Sequence, residues 1–137
     1  MHHLYLSLGT NLGNKRENLV RAIEEIQKSV GVVLRQSTFI CTAPVDFVSE
    51  NQFLNAAILV ETELTPMECL RETQRIEREM GRTRKSINGI HFDRIIDIDL
   101  LTYDDIKLNT PKLTLPHPKM NERDFVMIPL REIMENQ

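Results

Sequence analysis

The chain has little cysteine, no excess of basic charge and no long apolar run, and each deficit removes a class of function. Of its 137 residues two are cysteine, Cys41 and Cys69, far apart and without a neighbouring Cys or His. A disulfide framework or a zinc site needs clustered ligands, so two buried free thiols in a reducing compartment are expected instead. The formal net charge of −3 argues against general affinity for nucleic acid or anionic membranes. No stretch approaches the roughly 20 apolar residues that span a bilayer. The opening Met1-His2-His3-Leu4 lacks a basic segment followed by an apolar one, so no secretory leader and a cytoplasmic location are expected. Repeats, low-complexity tracts and Gly/Ser/Pro linkers are missing too, which predicts one domain over 1–137. What is present is an ordinary globular mixture, 41% apolar and 27% charged, sufficient for one continuous core.

Periodicity supplies the elements. His3–Leu8 alternates Leu4, Leu6 and Leu8 against Tyr5 and Ser7, the pattern of a half-buried strand. Gly9–Asn14 has turn chemistry, with Asn14 as a helix N-cap. Leu19, Ile23, Ile26 and Val30 follow at helical spacing, and Gly31 ends that helix. Val32–Thr42 reads as a second strand, Ala43–Gln52 as a loop, and Phe53–Thr62 as a third strand with Asn55 its polar intruder. Thr65-Pro66 announces a second helix, with Glu68 in its first turn, a core stripe of Cys69, Thr73, Ile76 and Met80, and Gly81 as its stop. Arg82–Asp93 is aperiodic, Arg94–Tyr103 alternates as a fourth strand, short extended pieces lie near Lys107–Leu115, and a short amphipathic helix lies near Asp124–Met134. The order β-α-β-β-α-β plus a C-terminal appendage predicts an α+β, ferredoxin-like fold. Its four-stranded antiparallel sheet would carry helices on one face and leave the other free for a ligand.

Asp97-Ile98-Asp99 is the strongest chemical signal. Residues two apart in a strand share a face, with Cα atoms about 6.6 Å apart. Two carboxylates there suit an oxygen-seeking cation such as Mg²⁺; the same alternation also produces a plain solvated face. Arg75, Arg78, Arg82, Arg84, Lys85 and Arg94 lie close by in sequence. Arg75 and Arg78 read as helix decoration among Glu72, Glu77 and Glu79. The loop Arg82-Thr83-Arg84-Lys85 has no helix face to decorate and suits bidentate binding of phosphate oxygens. Arg94 and Asp97 would point to opposite faces of a regular strand, so a shared site requires an irregular start. Gln74 and Glu77 share a helical face and suit either a ligand or solvent. Asn55 fits a heteroaromatic edge or a solvated strand edge, and Phe53 and Phe125 fit core positions or stacking platforms. His117, between Pro116 and Pro118, fits a phosphate donor or an exposed loop. Gly9-Thr10-Asn11-Leu12-Gly13 lacks the Gly-Lys-Ser/Thr ending of a phosphate loop and reads as a turn that shapes a pocket.

Taken in order, these segments resemble the 6-hydroxymethyl-7,8-dihydropterin pyrophosphokinase family from Leu4 to about Glu132. The landmarks are Leu8-Gly9-Thr10-Asn11-Leu12, Thr42-Ala43-Pro44, Phe53-Leu54-Asn55-Ala56, Gln74-Arg75-Ile76-Glu77 with Gly81-Arg82-Thr83-Arg84, Arg94-Ile95-Ile96-Asp97-Ile98-Asp99-Leu100-Leu101, and Leu115-Pro116-His117-Pro118 with Arg123, Phe125 and Pro129-Leu130. The resemblance implies transfer of pyrophosphate from ATP to the hydroxyl of a pterin alcohol in folate biosynthesis, releasing AMP. It implies two Mg²⁺ ions on Asp97 and Asp99, with Arg82 and Arg94 neutralising phosphate charge. Gln74, Glu77, Arg84, Lys112, Thr114, His117 and Arg123 would contact ATP. The pterin would stack between Phe53 and Phe125, with Asn55 and the Thr42, Pro44 and Val45 segment reading its edge. No nucleic-acid, membrane or obligate protein partner is implied. Phe92-Asp93 replaces the small residue and Pro that usually precede the signature Arg, His91 stands where an aromatic is often found, and the sequence ends at Gln137 without the extension of many relatives. The rival readings are another Asp-x-Asp nucleotidyltransferase, which would release pyrophosphate, and a non-catalytic ferredoxin-like binding module. An RNA-binding face would need basic and aromatic residues where Asp97 and Asp99 stand.

Overall fold

A computed structural model of the chain describes residues 1–42, 52–81 and 95–134. Strand β1 (His2–Thr10) runs two residues further than the alternation predicts, so Gly9 and Thr10 are strand rather than turn. Helix α1 (Lys15–Ser29) starts at Asn14, whose side-chain oxygen accepts the Glu17 N–H at 3.1 Å, and buries Leu19, Ala22 and Ile26. Gly31 follows the helix for a reason its sequence context does not reveal. A Cβ there would lie 2.1 Å from the Glu61 carbonyl oxygen, so glycine permits close backbone approach instead of supplying a left-handed cap.

The expected second strand divides into β2 (Val32–Gln36) and β3 (Ile40–Thr42), both paired with β4 (Phe53–Thr62). Buried Ser37 marks the break. Its N–H donates to the Ala57 carbonyl at 2.9 Å, and its hydroxyl accepts the Ala57 N–H at 2.9 Å while donating to the Thr38 carbonyl. The hydroxyl thus completes a ladder that the backbone leaves open. Helix α2 (Pro66–Glu79) opens with a reciprocal cap: Thr65 Oγ1 accepts the Glu68 N–H and Glu68 Oε1 accepts the Thr65 N–H. Gly81, at φ +102°, turns the chain away after it. Then come β5 (Asp97–Tyr103), the hairpin of β6 (Leu108–Asn109) and β7 (Thr114–Leu115), a 3₁₀ turn at Met120–Glu122, and α3 (Asp124–Met134).

The sheet order is β2-β4-β1-β5, antiparallel throughout, with β3 continuing along β4. Each helix therefore crosses between two parallel strands that hold an antiparallel one between them, the ferredoxin-like arrangement. The expected four-stranded core is present, with β3 as a short fifth strand. Leu4, Leu6 and Leu8 of β1, Ala56, Ile58 and Val60 of β4, and Ile98 and Leu100 of β5 join α1 and α2 in the main core. The opposite face is not free, as the helix-on-one-side picture suggested. Ala57, Leu59 and Leu101 form a second core with Met120, Val126, Leu130 and Ile133. Helix α3 is too apolar to stand in solvent and buries this stripe on one end of the sheet; among the described residues it leaves the other end, with Asp97 and Asp99 partly exposed, open.

Three bonds tie the C-terminal end of α3 to the bend between β2 and β3. Arg35 Nη1 donates to the Ile133 carbonyl at 2.9 Å, and Glu132 Oε2 accepts the Thr38 N–H at 2.8 Å and hydroxyl at 3.1 Å. The outer strands are also held by side chains. Gln27 Oε1 accepts the Val33 N–H of β2 at 2.8 Å, and Glu77 Oε2 accepts the Ile98 N–H of β5 at 2.7 Å. Among the described residues no helix is long and apolar enough to cross a membrane.

Of the two cysteines only Cys69 is buried; Cys41 is exposed on β3 because that short strand lies outside the four-stranded core. Burial pushes the Cys69 thiol up to about 11, which makes it unreactive. A thiol reagent at neutral pH is expected to modify Cys41 alone in the folded chain and both cysteines in denaturant. Equal native rates at the two positions would contradict the packing of α2.

Candidate active site

On the open end of the second face, the strand register lines up residues from three strands. One row is Asn55–Gly9–Asp97, and the next is Ala57–Ser7–Asp99. Neighbouring strands are about 4.8 Å apart, so Asn55 and Asp97 flank a gap of two strand spacings, roughly 9.6 Å between backbones. Gly9 floors that gap: a Cβ on it would lie 2.9 Å from Asn55 Oδ1 and 3.5 Å from the Phe53 ring. The row is therefore a trough with an amide on one bank and a carboxylate on the other, its floor at Gly9 covered by Asn55 Oδ1 and the Phe53 ring. Asp97 and Asp99 are both partly exposed, while Ile98 between them is buried in the main core. The donor set is oxygen-only and anionic, which fits a hard divalent cation.

Second-layer contacts hold these groups. Asn55, almost fully buried, donates from Nδ2 to Thr42 Oγ1 at 2.7 Å, which fixes which end of its amide faces the trough. Glu77, only 3% exposed, passes its carboxylate to the backbone N–H between the two aspartates. Its placement is thus interior, whereas its helical spacing beside Gln74 suited either a ligand or solvent and the family resemblance implied an ATP contact; Gln74 itself is partly exposed one turn earlier. Arg75 is paired with Glu72 at 3.0 Å and with Glu79, the helix decoration that its spacing predicts.

The C-terminal segment supplies the rim. His117 donates its backbone N–H to the Leu101 carbonyl at 2.8 Å, which docks the loop on β5. Its Nδ1 accepts the Lys119 N–H at 3.2 Å, so the neutral ring carries its proton on Nε2 as a hydrogen-bond donor. Burial holds the His117 pKa below its ordinary 6.5, the Arg123 charge and more weakly Lys119 act in the same direction, and Asp97 opposes them. The folded chain binds this proton less readily than the unfolded chain, so the associated stability is full above about 6.5 and declines as pH falls through the lowered value. An NMR titration is expected to place the His117 midpoint below 6.5, and Asp97→Asn to move it lower still. An upward movement would show that Asp97 does not act on this ring. Arg123 sits over the Phe125 ring, 5.5 Å from its centroid, and Phe125 packs beside the second core. Thr114 lies in β7 and Lys112 is exposed in the turn before it.

The structure therefore brings Asp97, Asp99, Asn55, Thr42 and Phe53 to one end of the sheet and sets Phe125, Arg123 and His117 beside it. Arg82, Arg84, Arg94, Pro44 and Val45, together with His91 and Phe92-Asp93, lie outside the described residues. Strand β5 begins at Asp97, three residues later than the alternation from Arg94 predicts, and Ile95 and Ile96 before it are not strand. Gly9 and Ser7 escaped the reading of site residues. Their signal was the parity of Leu4, Leu6 and Leu8, which puts Ser7 and Gly9 on the face of the aspartates once β1 is known to be central.

Residues 5–135 match the model of the family described as 7,8-dihydro-6-hydroxymethylpterin-pyrophosphokinase (HPPK). The chain is 47% identical over 131 residues to the 2-amino-4-hydroxy-6-hydroxymethyldihydropteridine pyrophosphokinase of Porphyromonas gingivalis, covering 95% of this chain and 89% of that one. It is 39% identical over 132 residues to the Bacillus subtilis protein of the same name, covering 96% and 77%. Among solved structures, the Plasmodium falciparum HPPK-DHPS chain superimposes with a TM-score of 0.75 at 15% identity, covering 96% of this chain. The present chain spans only 40% of that longer protein, and the likeness there is one of fold. The sequence matches reach further than a shared fold, since they hold along almost the whole length: the chain belongs to the 7,8-dihydro-6-hydroxymethylpterin-pyrophosphokinase family.

Proposed function

We propose that this chain transfers the pyrophosphoryl group of ATP to the hydroxyl of 6-hydroxymethyl-7,8-dihydropterin and releases AMP, as a step of folate biosynthesis. The observation that carries the reading is the Asn55–Gly9–Asp97 row, which sets an amide fit for a heterocycle edge across Gly9 from an acidic pair. The pterin lies against the Phe53 ring, with its hydrogen-bonding edge toward Asn55 and its other face toward Phe125. Its hydroxymethyl group then points to Asp97 and Asp99. Those two carboxylates would hold Mg²⁺, which when bound offsets phosphate charge as a Lewis acid. Among the described residues no three His, Cys, Asp or Glu side chains form a metal cluster.

The chain's own part is positioning and electrostatics. Thr42 orients Asn55, and Glu77 fixes the strand segment between the aspartates. By family resemblance His117, through Nε2–H, and Arg123, through its guanidinium, face the phosphates, with Gln74, Lys112, Thr114, Arg82, Arg84 and Arg94 completing the nucleotide contacts. The hydroxyl oxygen attacks the β-phosphorus in line, the bond to the α-phosphate bridging oxygen breaks, and AMP departs with that oxygen. The deciding experiment is product analysis with Mg-ATP and 6-hydroxymethyl-7,8-dihydropterin. Pterin-dependent AMP is expected. Pterin-dependent ADP, released pyrophosphate or no turnover would each overturn the reading.

A further inference from the structure

We infer that Glu132, at the far end of α3 from the substrate, is a positioning residue that sets the width of the pterin pocket; the inference rests on the function proposed above. Two elements carry the walls of that pocket. Helix α3 presents Phe125 at its first turn, and β3 presents Thr42, which holds Asn55, at its last residue. These elements lie side by side, α3 crossing β4 and touching β3. Both lead back to one junction, where the Glu132 carboxylate accepts the backbone N–H and hydroxyl of Thr38 at 2.8 and 3.1 Å.

From that junction the chain reaches Phe125 over seven helical residues, about 10 Å at 1.5 Å per residue. It reaches Thr42 through Phe39 and the three residues of β3, which β4 holds by its ladder. Helix α3, with Pro129 inside it, and β3 are both seated on β4 and are joined to each other at Thr38–Glu132, with Phe125 and Thr42 at their far ends. The Thr38–Glu132 bonds therefore fix where α3 sits on β4 relative to β3, and their loss lets the helix that carries Phe125 shift against the strand that carries Thr42. The placement of the carboxylate supports this assignment. An acid in the last turn of a helix faces the negative end of the dipole and is disfavoured there. The Thr38 donors offset that cost, and Arg35 on the adjacent Ile133 carbonyl fixes the same helix end.

Steady-state kinetics of Glu132→Ala and Glu132→Gln, with both substrates varied, test the assignment. Thr65→Ala, which removes the α2 cap remote from α3, serves as a control for lost stability. Glu132→Ala is expected to raise KM for the pterin about tenfold, with KM for ATP and kcat moving by no more than about threefold. Glu132→Gln retains an oxygen acceptor for Thr38 and is expected to recover most of the pterin KM. An unchanged pterin KM, a parallel rise in both KM values as in a generally loosened chain, or a Gln variant no better than Ala would each overturn the inference while leaving the function intact. A parent chain without pterin-dependent AMP formation would overturn both.

Discussion

Asp97→Asn is expected to lower pterin-dependent AMP formation by roughly 10²- to 10⁴-fold, the equivalent of about 3–5 kcal/mol of transition-state stabilisation, with little change in Tm. The two halves of that expectation come from different parts of the structure. The Asp97 side chain lies on the open face, so amidation removes charge from the trough and nothing from either core. The backbone there is held independently, by the β1 ladder on one side and by Glu77 on the Ile98 N–H. Asp99→Asn should behave alike, and the double variant should lose little more than either single one, because the pair acts as a unit. Activity assays alongside thermal melts separate the cases. A variant that keeps more than about a tenth of the parent rate would remove the acidic pair from the reaction.

Gly31→Ala is expected to cost about 3 kcal/mol of stability, near 10 °C in Tm for a chain of this size. The added methyl would meet the Glu61 carbonyl oxygen at 2.1 Å, its carbon at 2.9 Å and Thr62 Cα at 3.0 Å. All three are backbone atoms of β4, the strand that pairs with β1, β2 and β3, so no side-chain rotation relieves the clash. Gly13→Ala provides the contrast. That glycine has φ +68° and no atom nearer than 3.9 Å to its added Cβ, so the expected loss is only the conformational penalty of about 1 kcal/mol. Thermal melts of the two variants rank the effects. A Gly31→Ala chain as stable as Gly13→Ala would mean that the approach of the α1–β2 connection to β4 is looser than described.

Much of the architecture was legible because it depends on local periodicity. Leu4, Leu6 and Leu8 declared a strand face, Thr65-Pro66 with Glu68 declared a helix start, and the apolar stripe of Asp124–Met134 gave the last helix at its observed limits. The parity of Asp97 and Asp99 likewise placed both on one face. The failures share one cause, a partner distant in sequence. Val32–Thr42 looked continuous because the break at Ser37 is repaired by a hydroxyl bonded to Ala57. Gly9 looked like turn material because its reason for being glycine is Asn55 on the next strand. For Glu77 the spacing offered a ligand or solvent but not its backbone partner, because the N–H it accepts lies 21 residues away. The appended helix was visible as an element, but nothing local revealed that it covers half of the face expected to be free.

The side chains that hold the outer strands have a consequence for the behaviour of many copies together. A bare outer strand is a template on which another chain can add its own strand, and β2 would be an inviting one, with Val32 and Leu34 48% and 45% exposed. Gln27 already occupies the Val33 N–H, and the register of β2 shifts between Val33 and Arg35, so a foreign strand finds neither a complete row of donors nor a flat surface. On the opposite margin, Glu77 takes the Ile98 N–H and the His117 N–H takes the Leu101 carbonyl. The groups that steady the acidic pair and seat the rim histidine thereby also keep that margin from nucleating intermolecular β-structure.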